Sequence, residues 1–140
     1  MLAEVRAYRL LSNNTELNLL MDTIRGKKID STDVIKQGIF TYSIPDNFIK
    51  KEVAPFIRIN PIDEEPAVFM DDENIAENQT IQIDFWCKNA NDSEKMKRLI
   101  DKILKQNNHI QYDSTRYKDP DIDLIMNVRK YRVFDFDLEN

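Results

Sequence analysis

Apolar and polar residues alternate through Thr80-Ile81-Gln82-Ile83-Asp84-Phe85-Trp86-Cys87, which puts Ile81, Ile83, Phe85 and Cys87 on one face of a strand. Gln82, Asp84 and Trp86 take the other face. After the polar break Lys88-Asn89-Ala90-Asn91 the period changes. Met96, Leu99, Ile100, Ile103 and Leu104 recur at the i, i+3, i+4, i+7, i+8 spacing of a helix that buries one side. Asp92 or Ser93 is placed to cap it, because either side-chain oxygen can accept from the free amides of the first turn. Glu94 adds negative charge where the helix dipole is positive.

Upstream, Leu2, Val5 and Leu10-Leu11 have loosely helical spacing, and Leu17, Leu20, Met21 and Ile24 form the stripe of a second helix. Asn13 and Glu16 stand in a capping arrangement at its start, and Gly26 can take the left-handed turn at its end. Ile39 to Ile44, before Pro45, and Phe56 to Ile59, between Pro55 and Pro61, are rich in β-branched and aromatic residues and read as strands. Another strand begins at Ile110-Gln111-Tyr112, and a long one spans Asp123 to Phe136. In this last strand the apolar parity switches from Leu124, Met126 and Val128 to Tyr131 and Val133, so a bulge is expected. The order predicts an α+β fold, a mixed or mainly antiparallel sheet with helices packed on one face.

A chain of 140 residues fits one domain and can bury enough apolar surface to fold without disulfides or metal. Residues 61–79 depart from the rest, with seven acidic residues and no basic one around Val68-Phe69-Met70. A segment of this kind between strands is a loop or a hairpin arm, and its apolar centre favours burial against another chain or within a hairpin.

The single cysteine, Cys87, falls on the apolar strand face and reads as a small buried hydrophobe, which suits a reducing cytosol. No stretch approaches the roughly eighteen apolar residues of a membrane span, and Met1 to Arg6 lacks a basic region followed by an apolar core. A soluble, unexported protein with no membrane partner is expected. The net charge of -5 argues against a surface built to grip phosphates. Lys27-Lys28, Lys50-Lys51 and Arg129-Lys130-Tyr131-Arg132 are dense basic points, each short enough to be ordinary solvated surface.

The residues offer little to catalysis. His109 is the sole histidine and follows a helix end, where a cap or a solvent contact is expected. One histidine and one cysteine cannot make a typical zinc site without carboxylates or shared ligands. Asp119-Pro120-Asp121-Ile122-Asp123 resembles the opening of a calcium loop, but Leu124 stands where glycine is needed and Lys130 where a bidentate glutamate is needed. With only Gly26 and Gly38, neither a phosphate loop nor a dinucleotide fingerprint can be written. No catalytic residue, metal or cofactor is expected.

The succession of two short helices, strands at Gly38-Ile39-Phe40 and Ala54 to Ile59, then Thr80 to Trp86 leading into Ser93 to Leu104, resembles the tail terminator or tail-completion proteins of long-tailed bacteriophages. The closing stretch Asp123 to Val133 fits their returning strand, and the aromatic pair Phe85-Trp86 before the helix is the most specific piece. In particular the chain looks like the small structural proteins of phages infecting Gram-positive bacteria. The resemblance implies no enzyme but a ring, usually hexameric, that caps the tail tube and joins it to the head connector. Its partners would be copies of itself, the tail tube protein and the head-tail connector protein, with DNA passing through the lumen without specific binding. It would assemble in the host cytoplasm and reside in the virion tail.

Within that expectation Asp63, Glu64, Glu65, Asp71, Asp72 and Glu73 face the lumen or a neighbouring subunit, because carboxylates lining a channel repel phosphates. Trp86, on the face opposite Ile81, Ile83 and Phe85, is either an exposed interface anchor or covered within the monomer. Competing readings are a head-closure adaptor or other minor tail protein, a small metal-dependent nuclease using acidic residues on a mixed sheet, and a regulatory binding domain with an acidic recognition loop.

Overall fold

The computed structural model describes residues 1–26, 38–70 and 73–134, and for 63–70, 73–77 and 134 it describes the backbone alone. Helices α1 (Ala3–Ser12) and α2 (Thr15–Arg25) precede strand β1 (Ile39–Thr41). Two single-turn 3-10 helices, Asp46–Phe48 and Lys51–Val53, lead to the long strands β2 (Phe56–Met70) and β3 (Glu73–Cys87). Helix α3 (Ala90–Lys105) and strands β4 (Ile110–Asp119) and β5 (Leu124–Phe134) follow. The sheet order is β1-β2-β3-β5-β4. β1 runs parallel to β2 and every other pair is antiparallel, so this is an α+β fold with a mixed, mainly antiparallel sheet.

All three helices share one face. Ala7 and Leu11 of α1, Leu17 and Met21 of α2, and Met96, Ile100 and Leu104 of α3 bury against Ile57, Ile59, Ile81, Ile83, Phe85 and Cys87. The alternation in β3 and the stripe in α3 therefore meet as their periods require. The caps differ in detail from the expected ones. Asn14, not Asn13, accepts from the Leu17 amide at 2.8 Å, and Asn89, not Asp92 or Ser93, accepts from the Asp92 amide at 2.8 Å. Ser93 is instead fully buried one turn into α3, its Oγ 2.9 Å from the Asn127 amide nitrogen.

A second core occupies the opposite face at one end of the sheet. Phe40 of β1, with Ile44, Phe48 and Val53 delivered by the crossover from β1 to β2, packs on Phe56, Trp86, Leu124 and Met126. This explains the parity switch in β5. Its partnership with β3 runs without a register shift from Asn78↔Phe134 to Cys87↔Ile125, so no bulge lies there. Leu124 and Met126 face the second core, while Tyr131 and Val133 face the helices. Two cores on opposite sides of one regular strand give the same pattern as one core and an inserted residue. The register shift sits in β4, between Gln111 and Asp113 on the outer strand.

β1 is shorter than its apolar run because Tyr42, at φ 69, takes the left-handed conformation and turns the chain into the crossover. Arg25, at the end of α2, holds that crossover in place. Its buried side chain donates from Nε to the Val53 carbonyl at 2.8 Å, and burial, opposed by nearby Asp22, lowers its pKa to about 10.

Candidate functional site

The outer halves of β2 and β3 form a hairpin arm. The two strands pair from Phe56↔Trp86 out to Met70↔Glu73. β1 partners β2 only over Ile57 to Ile59, and β5 partners β3 only from Asn78 to Cys87. Among the described residues, 63–70 and 73–77 therefore have strand partners only in this hairpin. β5 stops opposite Asn78, so beyond it the two-stranded ribbon is 66–70 with 73–77, and at about 3.3 Å per residue it extends roughly 15 Å past the sheet. Register shifts fall between Pro61 and Asp63, between Pro66 and Val68, and between Val68 and Phe69. Proline lacks the ladder donor, so Pro61 and Pro66 fit an edge strand.

Asp63, Glu64 and Glu65 lie in the β2 half of the arm, opposite Thr80, Gln79 and Asn78, and Glu73 opens the β3 half. Asp71 and Asp72, between the halves, lie outside the described residues, as do Lys27 and Lys28. The base of the arm is tied to the helix layer. The first amide of α1, Ala3 N, donates to the Gln79 carboxamide oxygen at 2.9 Å, and beside it the Tyr42 hydroxyl, just past β1, donates to the Glu4 carboxylate of α1.

Trp86 belongs to the second core and is only 7% exposed. Its ring stacks on Phe56 at 5.2 Å, the Arg58 guanidinium lies 5.2 Å from the ring centre, and its Nε1 donates to Asp119 at 2.9 Å. Arg58 in turn pairs with the fully buried Asp84 at 2.6 Å. Of the two placements expected for Trp86, the structure takes burial within the chain, because the crossover supplies an aromatic bed that no periodicity announces. Beside it, Ile44, Ile49, Phe56, Arg58, Asp119 and Asp121 line a groove of about 420 Å³.

A second groove, about 510 Å³, runs between α2 and α3 on the outer side of the helix layer. Leu19, Leu20 and Leu99 form its apolar floor, Lys95, Arg98 and Lys102 stand along α3, and Glu16 closes one end. Leu19 is 64% exposed, a large apolar side chain left in water. The cations are engaged only at the surface: Arg98 meets Glu94 at 2.7 Å and Lys102 approaches Glu16 at 4.0 Å. Sequence periodicity could have found this groove, because residues 95, 98 and 102 share one helix stripe beside the buried one.

Several other ionisable groups are used in packing. On the helix side of β5, Arg129 and Tyr131 converge on Asp101 of α3. Burial pushes the Tyr131 hydroxyl pKa far up, with the Asp101 charge acting in the same direction. Burial likewise raises the Cys87 thiol to about 12, against a partial opposing hydrogen bond from Ser93. His109 is buried rather than solvated, with Nδ1 2.8 Å from the Asn107 carbonyl and its amide on the Leu104 carbonyl at 2.9 Å. Among the described residues no three histidines, cysteines or carboxylates gather as a metal site would require. No helix among them is long and apolar enough to cross a membrane. The geometry thus offers surfaces for docking, an acidic arm and a basic-rimmed apolar groove. No protein-family model matches the chain, and no curated protein matches it.

Proposed function

We propose that the protein is a structural subunit that assembles with copies of itself into a ring, as the tail terminator proteins it resembles do in ending a phage tail tube and joining it to the head connector. The observation carrying this reading is the hairpin arm, whose strands leave the sheet with only each other as partners among the described residues. A lone two-stranded ribbon is marginal in water, and Val68-Phe69-Met70 adds apolar residues to it, so cover from a neighbour favours assembly. An arm offered head to tail to the next copy closes a ring when the rotation closes.

The carboxylates Asp63, Glu64, Glu65, Asp71, Asp72 and Glu73 then face a neighbour or the lumen, where they keep duplex DNA from adhering. Tail tube protein and connector protein are the partners of the two ring faces, and no reaction is catalysed. Light scattering during size-exclusion chromatography, over rising concentration and with purified tail tubes added, tests the reading. The intact chain forms closed rings, whereas a variant with residues 63–77 replaced by a short glycine turn stays folded and monomeric. An intact chain that neither self-associates at millimolar concentration nor binds tubes, yet cleaves DNA with magnesium, overturns it in favour of a nuclease.

A further inference from the structure

The α2/α3 groove and the hairpin arm have opposite chemistry. The groove joins an apolar floor of Leu19, Leu20 and Leu99 to the cations Lys95, Arg98 and Lys102. The arm segment 61–79 joins Val68-Phe69-Met70 to seven acidic residues and no basic one. We infer that the groove receives the arm of a second copy, so that each subunit is bound to the next by arm in groove. This rests on the self-assembly reading above and names its contact.

Three observations favour this occupant over another. Arg98 and Lys102 of the groove are held by exposed ion pairs, which contribute little and can be exchanged for carboxylates of a docking segment. Pro61 and Pro66 lack ladder donors and the register shifts interrupt the β2 strand of the arm, which disfavours strand addition to a neighbouring sheet and leaves its acidic, apolar-centred sequence as the means of recognition. Within one chain the arm continues the sheet, paired out to Met70↔Glu73, while the groove opens on the far side of the helix layer. Arm and groove therefore meet between copies. Apolar contact at the centre with charges at the rim predicts association that is steered electrostatically and weakened by salt.

A charge-swap experiment tests the contact. One variant reverses the groove (K95E, R98E, K102E) and another reverses the described arm carboxylates (D63K, E64K, E65K, E73K, E77K). Circular dichroism checks that both fold, and sedimentation velocity reads association. Each variant alone associates at least about tenfold more weakly than the unaltered chain. Mixing the two restores association, because each acidic arm then meets a basic groove and each basic arm an acidic groove on the other copy. Association of the groove variant as strong as that of the unaltered chain, or a mixture no better than its parts, overturns the arm-in-groove contact. If the groove variant still forms rings and the arm-shortened chain does not, the self-assembly reading stands without this contact. If the unaltered chain never associates, both fall.

Discussion

Arg129 on β5 grips Asp101 on α3 with both ends of its guanidinium, Nη2 2.6 Å from Oδ2 and Nε 2.9 Å from Oδ1. The Tyr131 hydroxyl donates to the same carboxylate at 2.5 Å. Burial alone would lower the Arg129 pKa, but hydrogen bonding to Asp101, with added contributions from Tyr131, carries it above its ordinary value. The pair locks the helix onto the sheet at the edge of the core, where a two-point fork fixes one orientation.

Removing one partner strands the other. Asp101→Ala is expected to cost about 2–4 kcal/mol in urea unfolding, because a nearly buried guanidinium and a buried phenol lose their acceptor. The double variant Asp101→Leu, Arg129→Met is expected to cost less than the sum of the single changes, since neither charge is then left alone. Additive costs would show that the two side chains do not act as a pair.

Trp86 offers a clean optical check on the second core. Stacked on Phe56 and 7% exposed, it should resist acrylamide quenching in the folded monomer, and its emission should not change as copies associate. Trp86→Ala should cost about 3–5 kcal/mol by emptying the aromatic bed. A blue shift on assembly would mean that the ring is covered by a neighbour rather than by the crossover.

Much of this architecture is legible in the sequence. The alternation of Ile81, Ile83 and Phe85 and the stripe from Met96 to Leu104 specify a helix on a sheet, because each period has one geometric solution when one face is buried. The second core is not legible. Phe40, Phe48, Phe56 and Trp86 come together through the crossover, and long-range aromatic contacts leave no local period. The same blindness hid the α3 to β5 fork, since Arg129 reads as part of a solvated basic run and nothing in the sequence singles out Asp101 until the fold joins them. In the arm, the acidic run marks the segment as unusual, but strands in 63–70 and 73–77 are masked by carboxylates and prolines that disfavour β structure in general.

Gly38 and Gly26 separate backbone strain from crowding. Both sit at positive φ, 76° and 79°. A Cβ at Gly38 would fall 2.9 Å from Phe48 Cε1, whereas a Cβ at Gly26 would meet nothing within 4 Å. Gly26→Ala is expected to cost about 1 kcal/mol, the left-handed penalty alone. Gly38→Ala should cost more, about 2–3 kcal/mol, by also displacing the second core. Equal losses in thermal unfolding would contradict the close approach of Phe48.

Asp123 lies between Lys118 at 2.7 Å and Lys51 at 2.8 Å, at the turn between β4 and β5. Hydrogen bonds from Lys118 first and Lys51 second bring its carboxyl down to about 2, from 3.8. A depressed folded-state pKa means that this contribution to stability is present above pH 3.8 and is lost as pH falls toward 2. Carbon-detected NMR titration should return a midpoint near 2, and the Lys51→Ala, Lys118→Ala variant should return it toward 3.8. Because all three groups are exposed, added salt should produce part of the same shift.

Cys87 governs the alkaline limb. Burial holds its thiol near 12 in the folded chain, against 9.0 when free. Between those values the unfolded state loses a proton that the folded state keeps, so stability is undiminished below pH 9 and declines as pH rises toward 12. Cys87→Ala, though less stable at neutral pH for its lost packing, should show a shallower decline from pH 9 to 10, before Tyr131 adds its own contribution of the same sign. Thiol labelling should follow global unfolding, with the native protein inert at pH 8. Rapid labelling of folded protein at that pH, or identical alkaline slopes for the two chains, would place Cys87 in solvent rather than under α3.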